Sequence, residues 1–189
     1  MTSFLAFSGS TRQDSYNSKL AAALAVEITN QGESAETLNL KDFDMPLYNG
    51  DLEAESGLPE GAVALKAKLS SADALIISCP EYNGFMPPVL LNAIDWCTRS
   101  TEGSPDLQCF MHKPIFIAGA SPGPGGGGRV VVHLKTMLSG IGAYVSPFPL
   151  TAPAAYSAFN ETGEFIDEGM RDRAAKMMTG FIQFTKKLV

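Results

Sequence analysis

Cysteine, histidine and clustered basic charge are all scarce in this chain. Its 189 residues include three cysteines and two histidines. Cys79, Cys97 and Cys109 are odd in number and form no C-x-x-C pair. That excludes a disulfide framework and suits a reducing compartment, so the expected location is the cytoplasm. His112 and His133 are too few and too isolated for a metal site, and no metal is expected. Basic residues form no run beyond Lys186-Lys187, and 14 Lys and Arg against 20 Asp and Glu leave a net charge of −6. A nucleic-acid surface is therefore not expected. No apolar stretch is long enough to span a membrane, and no basic segment followed by a cleavable apolar one opens the chain. No G-x-x-x-x-G-K-[ST] motif occurs, which disfavours a nucleoside triphosphatase.

What is present reads as a globular domain. Hydrophobic residues make up 45% and charged residues 18% of the chain. The length fits one domain, residues 1–189, with a substantial core. Apolar runs without alternation at residues 4–7 and 74–79 read as strands buried on both faces. A weaker, more polar strand is expected at 35–40, another strand at 113–118 and a short final one at 142–145. Helical patterns fall between them, at 17–30, 59–70, 87–99, 127–139 and 167–187. Residues 41–57 read as a long loop, with Asn49-Gly50 as its turn. Alternating strand and helix predicts an α/β, flavodoxin-like three-layer sandwich. Its five-stranded parallel sheet would run in the order 2-1-3-4-5, with helices on both faces.

Three loops would then leave the carboxyl ends of strands one, three and four and meet on one edge of the sheet. The first, Gly9 to Asn17, joins a strand to a helix N-terminus, where orphan N–H groups and the helix dipole favour an anion. Ser10 and Ser15 add hydroxyls, Asn17 an amide and Arg12 a charged fork of donors, the set a phosphate monoester requires. The same residues also serve an ordinary capped loop. The second loop, Pro80-Glu81-Tyr82-Asn83-Gly84, offers a flat ring for stacking and an amide for reading heteroatoms, or a plain turn. The carboxylate of Glu81 is expected to solvate this loop. The third, residues 121–128, is rich in glycine and would let backbone approach a ligand closely. Within it Gly123, Gly125 and Gly128 match G-x-G-x-x-G, but no acidic residue follows at the next strand, so the match is taken as coincidental.

Together these residues carry a resemblance. Ser10-x-Arg12-x-x-Ser15-x-Asn17, then Pro80-Glu81-Tyr82-Asn83-Gly84 leading to Leu90-x-Asn92-Ala93-Ile94-Asp95-Trp96, then Ser121-x-Gly123-x-x-Gly126-Gly127-x-Arg129 are similar to the NADPH-dependent FMN reductase family. That family includes chromate, azo-dye and quinone reductases. The resemblance implies that Ser10, Arg12, Ser15 and Asn17 bind the FMN phosphate. It implies that Pro80, Glu81, Tyr82, Asn83 and Gly84 line the isoalloxazine, and that Ser121, Gly123, Gly126 and Gly127 close over it. It further implies NADPH or NADH as co-substrate, a small-molecule electron acceptor and a homodimer or homotetramer. Two positions depart from the family's pattern. Phe85 replaces a small hydroxyl residue, and Leu91 replaces the lysine before Asn-Ala-Ile-Asp. Phe85 and Met86 are expected to make the flavin entrance more apolar, and Leu91 to belong to a subunit contact. The cofactor carries the chemistry, so no catalytic acid or base is assigned. The rival reading is an FMN-binding electron carrier or redox sensor without nicotinamide turnover, against which the charged Arg12 argues.

Overall fold

Strand side chains alternate between faces, and here both faces are apolar because helices cover both. The computed structural model describes residues 1–189. Strand β1 (Ser3–Ser8) is followed by α1 (Tyr16–Asn30), β2 (Ser34–Asn39), α2 (Gly50–Ser56) and α3 (Glu60–Ser71). Then come β3 (Ala74–Ser78), α4 (Pro88–Cys97), β4 (Pro114–Ala120) and α5 (Gly128–Gly140). Two short strands, β5 (Tyr144–Val145) and β6 (Leu150–Ala152), precede the last helix, α6 (Glu168–Thr185). The strands are parallel and ordered β2-β1-β3-β4-β5, with β6 also on β4.

The two faces divide by residue parity. Leu5, Phe7, Leu75, Ile77, Ile115 and Ile117 pack with Leu65 and Leu69 of α3, Leu90 and Ile94 of α4, and Leu134 and Leu138 of α5. Phe4, Ala6, Ile76, Phe116 and Ala118 face the other way, onto Leu20, Leu24 and Ile28 of α1 and Met178 and Phe181 of α6. After β1 the chain turns to β2 on one side, and β3 lies on the other. The loops leaving β1 and β3 therefore part at a topological switch point, where α/β sheets leave a crevice at their carboxyl edge.

The structure departs from the sequence reading in two elements. Residues 50–56 form α2 rather than continuing the loop. Asn49 is the helix cap rather than a hairpin turn, its Oδ1 accepting from Asp51 N–H at 2.9 Å. The fifth strand is also split. β5 pairs with the start of β4 (Pro114, Ile115), and β6 with its end (Ala118 to Ala120), which makes a sixth strand. The interruption holds Pro147 and Pro149, which lack the N–H a ladder needs.

Candidate active site

Strand β1 ends where the chain must pass close under α4. A Cβ on Gly9 would lie 3.0 Å from Leu90 Cδ2, so only glycine passes without displacing that side chain. The next residues turn inward: Ser10, Ser15 and Asn17 are almost fully buried. Ser10 Oγ accepts from Arg12 N–H at 3.2 Å and shapes the loop. Ser15 stands at the N-cap of α1, yet its side chain makes no capping bond. Its hydroxyl and the free N–H groups of that first turn are therefore left for another acceptor or donor. The guanidinium of Arg12 is exposed and pairs with no carboxylate; it donates to Asp14 O at 3.1 Å and lies 5.4 Å from the Tyr16 ring centre.

Asn17 is engaged elsewhere. Its Oδ1 accepts from Ala120 N–H and Ser78 Oγ–H, each at 2.9 Å, and its Nδ2 donates to Ala120 O at 2.9 Å. It staples the β1–α1 loop to the ends of β3 and β4. One side-chain N–H remains free of the two that an amide offers.

The second loop is a two-residue hairpin. Tyr82 and Phe85 exchange both backbone hydrogen bonds at 3.0 Å. Asn83 and Gly84 take φ of 54° and 82°, the pair of positive angles that a type I′ turn requires. Tyr82 stands half out of the surface at the edge of the cleft, and Asn83 is exposed at the hairpin tip.

Glu81 does not solvate its loop. Its Oε1 accepts from Arg129 Nε at 2.7 Å, and its Oε2 accepts from the backbone N–H groups of Arg129 and Val130 at 3.1 and 3.3 Å. The N-cap of helix α5 is Gly127, which has no side chain to cap it, so Glu81 supplies the cap from another loop. Burial alone would raise the Glu81 pKa. The Arg129 ion pair and these N–H donors outweigh burial and hold it below the usual glutamate value.

In the third loop the glycines divide. A Cβ on Gly126 would lie 2.8 Å from Pro153 N, and one on Gly127 3.4 Å from Gly119 Cα. Both have positive φ, 58° and 85°. The close approach they permit is to the protein's own strands β4 and β6, not to open space. Gly125 has nothing within 4 Å of its Cβ direction and Gly123 only Ser121 Oγ at 3.7 Å, so these two face outward. Ser121 is held between strands by its N–H on Ala152 O at 3.2 Å.

These loops enclose a cleft of about 360 Å³ lined by Ser10, Arg12, Ser15, Asn17, Pro80, Tyr82 and Ser121. It continues past Glu81 and Ser121 into a second hollow of about 460 Å³ under Gly123, Gly125 and Arg129. Volumes of this size suit a cofactor or small ligand. Cys79, directly before Pro80, is buried and its thiol is pushed up to about 12 by desolvation, so it supplies no thiolate.

The block from Leu90 to Trp96 works from behind. Asn92 accepts from Tyr48 N–H at 2.7 Å and donates to Pro46 O at 2.9 Å, while Trp96 Nε1–H donates to Pro46 O at 2.8 Å. Tyr48 meets the Trp96 ring edge-on, 4.9 Å between centres. Below it, Glu53 of α2 accepts from Arg99 Nε at 2.7 Å and from Tyr48 Oη at 3.0 Å. The sequence reading assigned these residues no task, since Glu53 and Arg99 are 46 residues apart and meet only in the fold. Met86 is buried in the core and Leu91 packs half-buried against it, so of the two entrance residues only Phe85 is exposed. The expected apolar entrance is thus narrower than the sequence suggested.

A helix N-terminus with free N–H groups, an exposed guanidinium and a protruding aromatic, at the carboxyl edge of a parallel sheet in flavodoxin-like order, has the chemistry to take a nucleotide-type cofactor. Comparison with known proteins is more specific. The sequence matches the NADPH-dependent FMN reductase family over residues 2–155, and the chain belongs to that family. It is 34% identical over 189 residues to an NAD(P)H-dependent FMN reductase of Pseudomonas aeruginosa, covering 97% of this chain and 95% of that one. It is 33% identical over 182 residues to a quinone reductase of Escherichia coli K12, covering 95% and 93%. Among solved structures, the flavoenzyme NAD(P)H:(acceptor) oxidoreductase FerB of Paracoccus denitrificans superposes with a TM-score of 0.84 at 28% identity, covering 100% of this chain and 99% of that one. Membership makes the protein an oxidoreductase of the NAD(P)H- and FMN-dependent type.

Proposed function

We propose that the cleft holds FMN and that the protein passes two electrons from NADPH or NADH to a small acceptor: a quinone, an azo dye, a metal oxyanion or a free flavin. The observation that carries this reading is an Arg12 with no carboxylate partner beside a non-capping Ser15 at the mouth of α1. A phosphate monoester satisfies both, together with the first-turn N–H groups, Ser10 and the spare N–H of Asn17. Pro80, Glu81, Tyr82, Asn83 and Gly84 shape the wall for the planar ring. Tyr82 stacks or packs, while Glu81 serves indirectly by fixing the hairpin to α5. Ser121 and Gly123 border the ring side, and Gly126 and Gly127 let their loop lie tight on the sheet.

When bound, FMN supplies a two-electron relay between nicotinamide and acceptor. The chain's residues bind, orient and exclude water. For a quinone the balance is NAD(P)H plus one proton plus quinone giving NAD(P)⁺ plus hydroquinone, the second proton coming from solvent. Glu81, the buried and partnered carboxylate of the cleft, is held below its usual pKa by Arg129 and backbone N–H groups, and no acid or base is assigned. The protein acts as a homodimer or homotetramer in the cytoplasm. Purified protein should show a flavin spectrum that bleaches with reduced nicotinamide under nitrogen and returns on adding a quinone. A colourless protein that binds no added FMN would sink this reading. A flavin that nicotinamide leaves oxidised would favour the electron carrier instead.

A further inference from the structure

The hairpin that carries Tyr82 has a second aromatic residue with a setting of its own. We propose that Phe85, backed by His133, continues the Tyr82 wall outward as a platform for flat apolar rings, so that bicyclic quinones are preferred over hydrophilic acceptors. The inference rests on the cofactor reading above and names the acceptor class of that same site.

In a two-residue hairpin the residues flanking the turn stand directly opposite, with side chains on one face. Tyr82 lines the cleft, and Phe85 is its partner across the hairpin. The two rings are 48% and 44% exposed, which leaves an aromatic surface open at the cleft's rim. A single exposed phenylalanine means little. This one is held in place from several sides. Both hairpin hydrogen bonds measure 3.0 Å, Met86 beyond it is buried in the core, and Glu81 before it is tied to α5. Behind it the Phe85 ring lies 4.9 Å from that of His133 at 53° between planes. One helical turn earlier, the Arg129 guanidinium sits 3.8 Å from the Cβ direction of Gly84. The hairpin thus rests along one outer stripe of α5, from Arg129 to His133. The ring is ordered at its back and open at its front.

A planar apolar acceptor gains contact area and offset stacking on such a surface, while a hydrated oxyanion or metal complex gains neither.

The test measures kcat/KM of the FMN-loaded enzyme with 2-methyl-1,4-naphthoquinone and with ferricyanide, each in wild type, Phe85→Ser, Phe85→Leu and His133→Ala. The naphthoquinone-to-ferricyanide ratio should fall roughly tenfold in Phe85→Ser, mostly through KM. It should fall less in Phe85→Leu, which keeps apolar bulk without a flat face, and in His133→Ala, which removes only the support. Because each ratio is internal to one preparation, partial loss of folded protein cancels. An unchanged ratio in Phe85→Ser, with ferricyanide still turned over, overturns the platform and leaves the cofactor reading standing. Absence of flavin-dependent turnover with either acceptor in wild type overturns both.

Discussion

Glu81 links two of the three site loops, so its removal should cost stability and flavin fit together. In Glu81→Ala the N–H groups of Arg129 and Val130 lose their acceptor, and helix α5 loses its only side-chain cap. Hydrogen bonds to a charged group contribute about 1.5–3 kcal/mol, but water can replace part of this at a partly open helix end. The Arg129 side chain is 77% exposed, so its ion pair adds at most about 1 kcal/mol. The expected loss is about 2–3 kcal/mol, or about 5–10 °C in Tm for a chain of this size. Glu81→Gln, which can still accept from the N–H groups, should lose about half as much. The pH dependence has a defined sign. The folded pKa lies below the unfolded value, so the unfolded state binds more protons between the two and stability rises with pH there. The contribution is complete above the ordinary glutamate pKa of about 4.3 and fades as pH falls through the lower folded value. Calorimetry of wild type and Glu81→Ala at pH 7 and at pH 3 gives the comparison. A mutant whose Tm matches wild type at pH 7, or a gap that widens on acidification, would refute the cross-loop cap.

Other parts of the structure make equally definite claims. Gly126→Ala forces a side chain into positive φ and within 2.8 Å of Pro153 N, so it should cost about 2–4 kcal/mol, whereas Gly125→Ala, with open space around it, should cost under about 1 kcal/mol. Equal denaturation midpoints for the two would contradict the packing assigned to that loop. Cys79, Cys97 and Cys109 are fully buried and desolvation raises all three pKa values, Cys79 to about 12 and Cys109 to about 11. Native protein at pH 8 should therefore resist iodoacetamide while unfolded protein takes up three labels, as mass spectrometry would show. Rapid labelling of any one thiol without unfolding would count against the core as described.

The sheet was readable because β1 and β3 carry unbroken apolar runs, Phe4 to Phe7 and Ala74 to Ile77, a pattern that suits a sheet covered on both faces. Helix α6, expected over 167–187, spans Glu168–Thr185, and Asp167 caps it by accepting from Met170 N–H at 2.7 Å. Helix α2 was not readable. Its seven residues are short and acidic, and it is held by Tyr48, Arg99 and the buried Glu53, which are distant in sequence or hidden by it. Strand β6 was missed because three residues after a proline become a strand only by pairing with β4. At the site, residue types pointed to three loops that the fold brings together, but not to the division of labour within them. Asn17 reads as a wholly free amide, whereas Ser78 and Ala120 take its oxygen and one N–H and leave the other; Glu81 reads as solvated, whereas the N-terminus of α5 lies beside it. Both depend on contacts between loops from different strands, which no local pattern encodes.

In the proposed function the β1–α1 loop binds a phosphate through Arg12 and the hydroxyls beside it. FMN and riboflavin differ only in that phosphate, so fluorescence titration of wild type and Arg12→Ala with both flavins isolates the loop from the ring pocket. Two or three charge-assisted bonds at about 1.5–3 kcal/mol each predict that wild type binds FMN on the order of a hundredfold or more tighter than riboflavin. Arg12→Ala should lose much of that preference and change riboflavin affinity little. Equal binding of the two flavins by wild type, or an equal loss for both in Arg12→Ala, would contradict the claim.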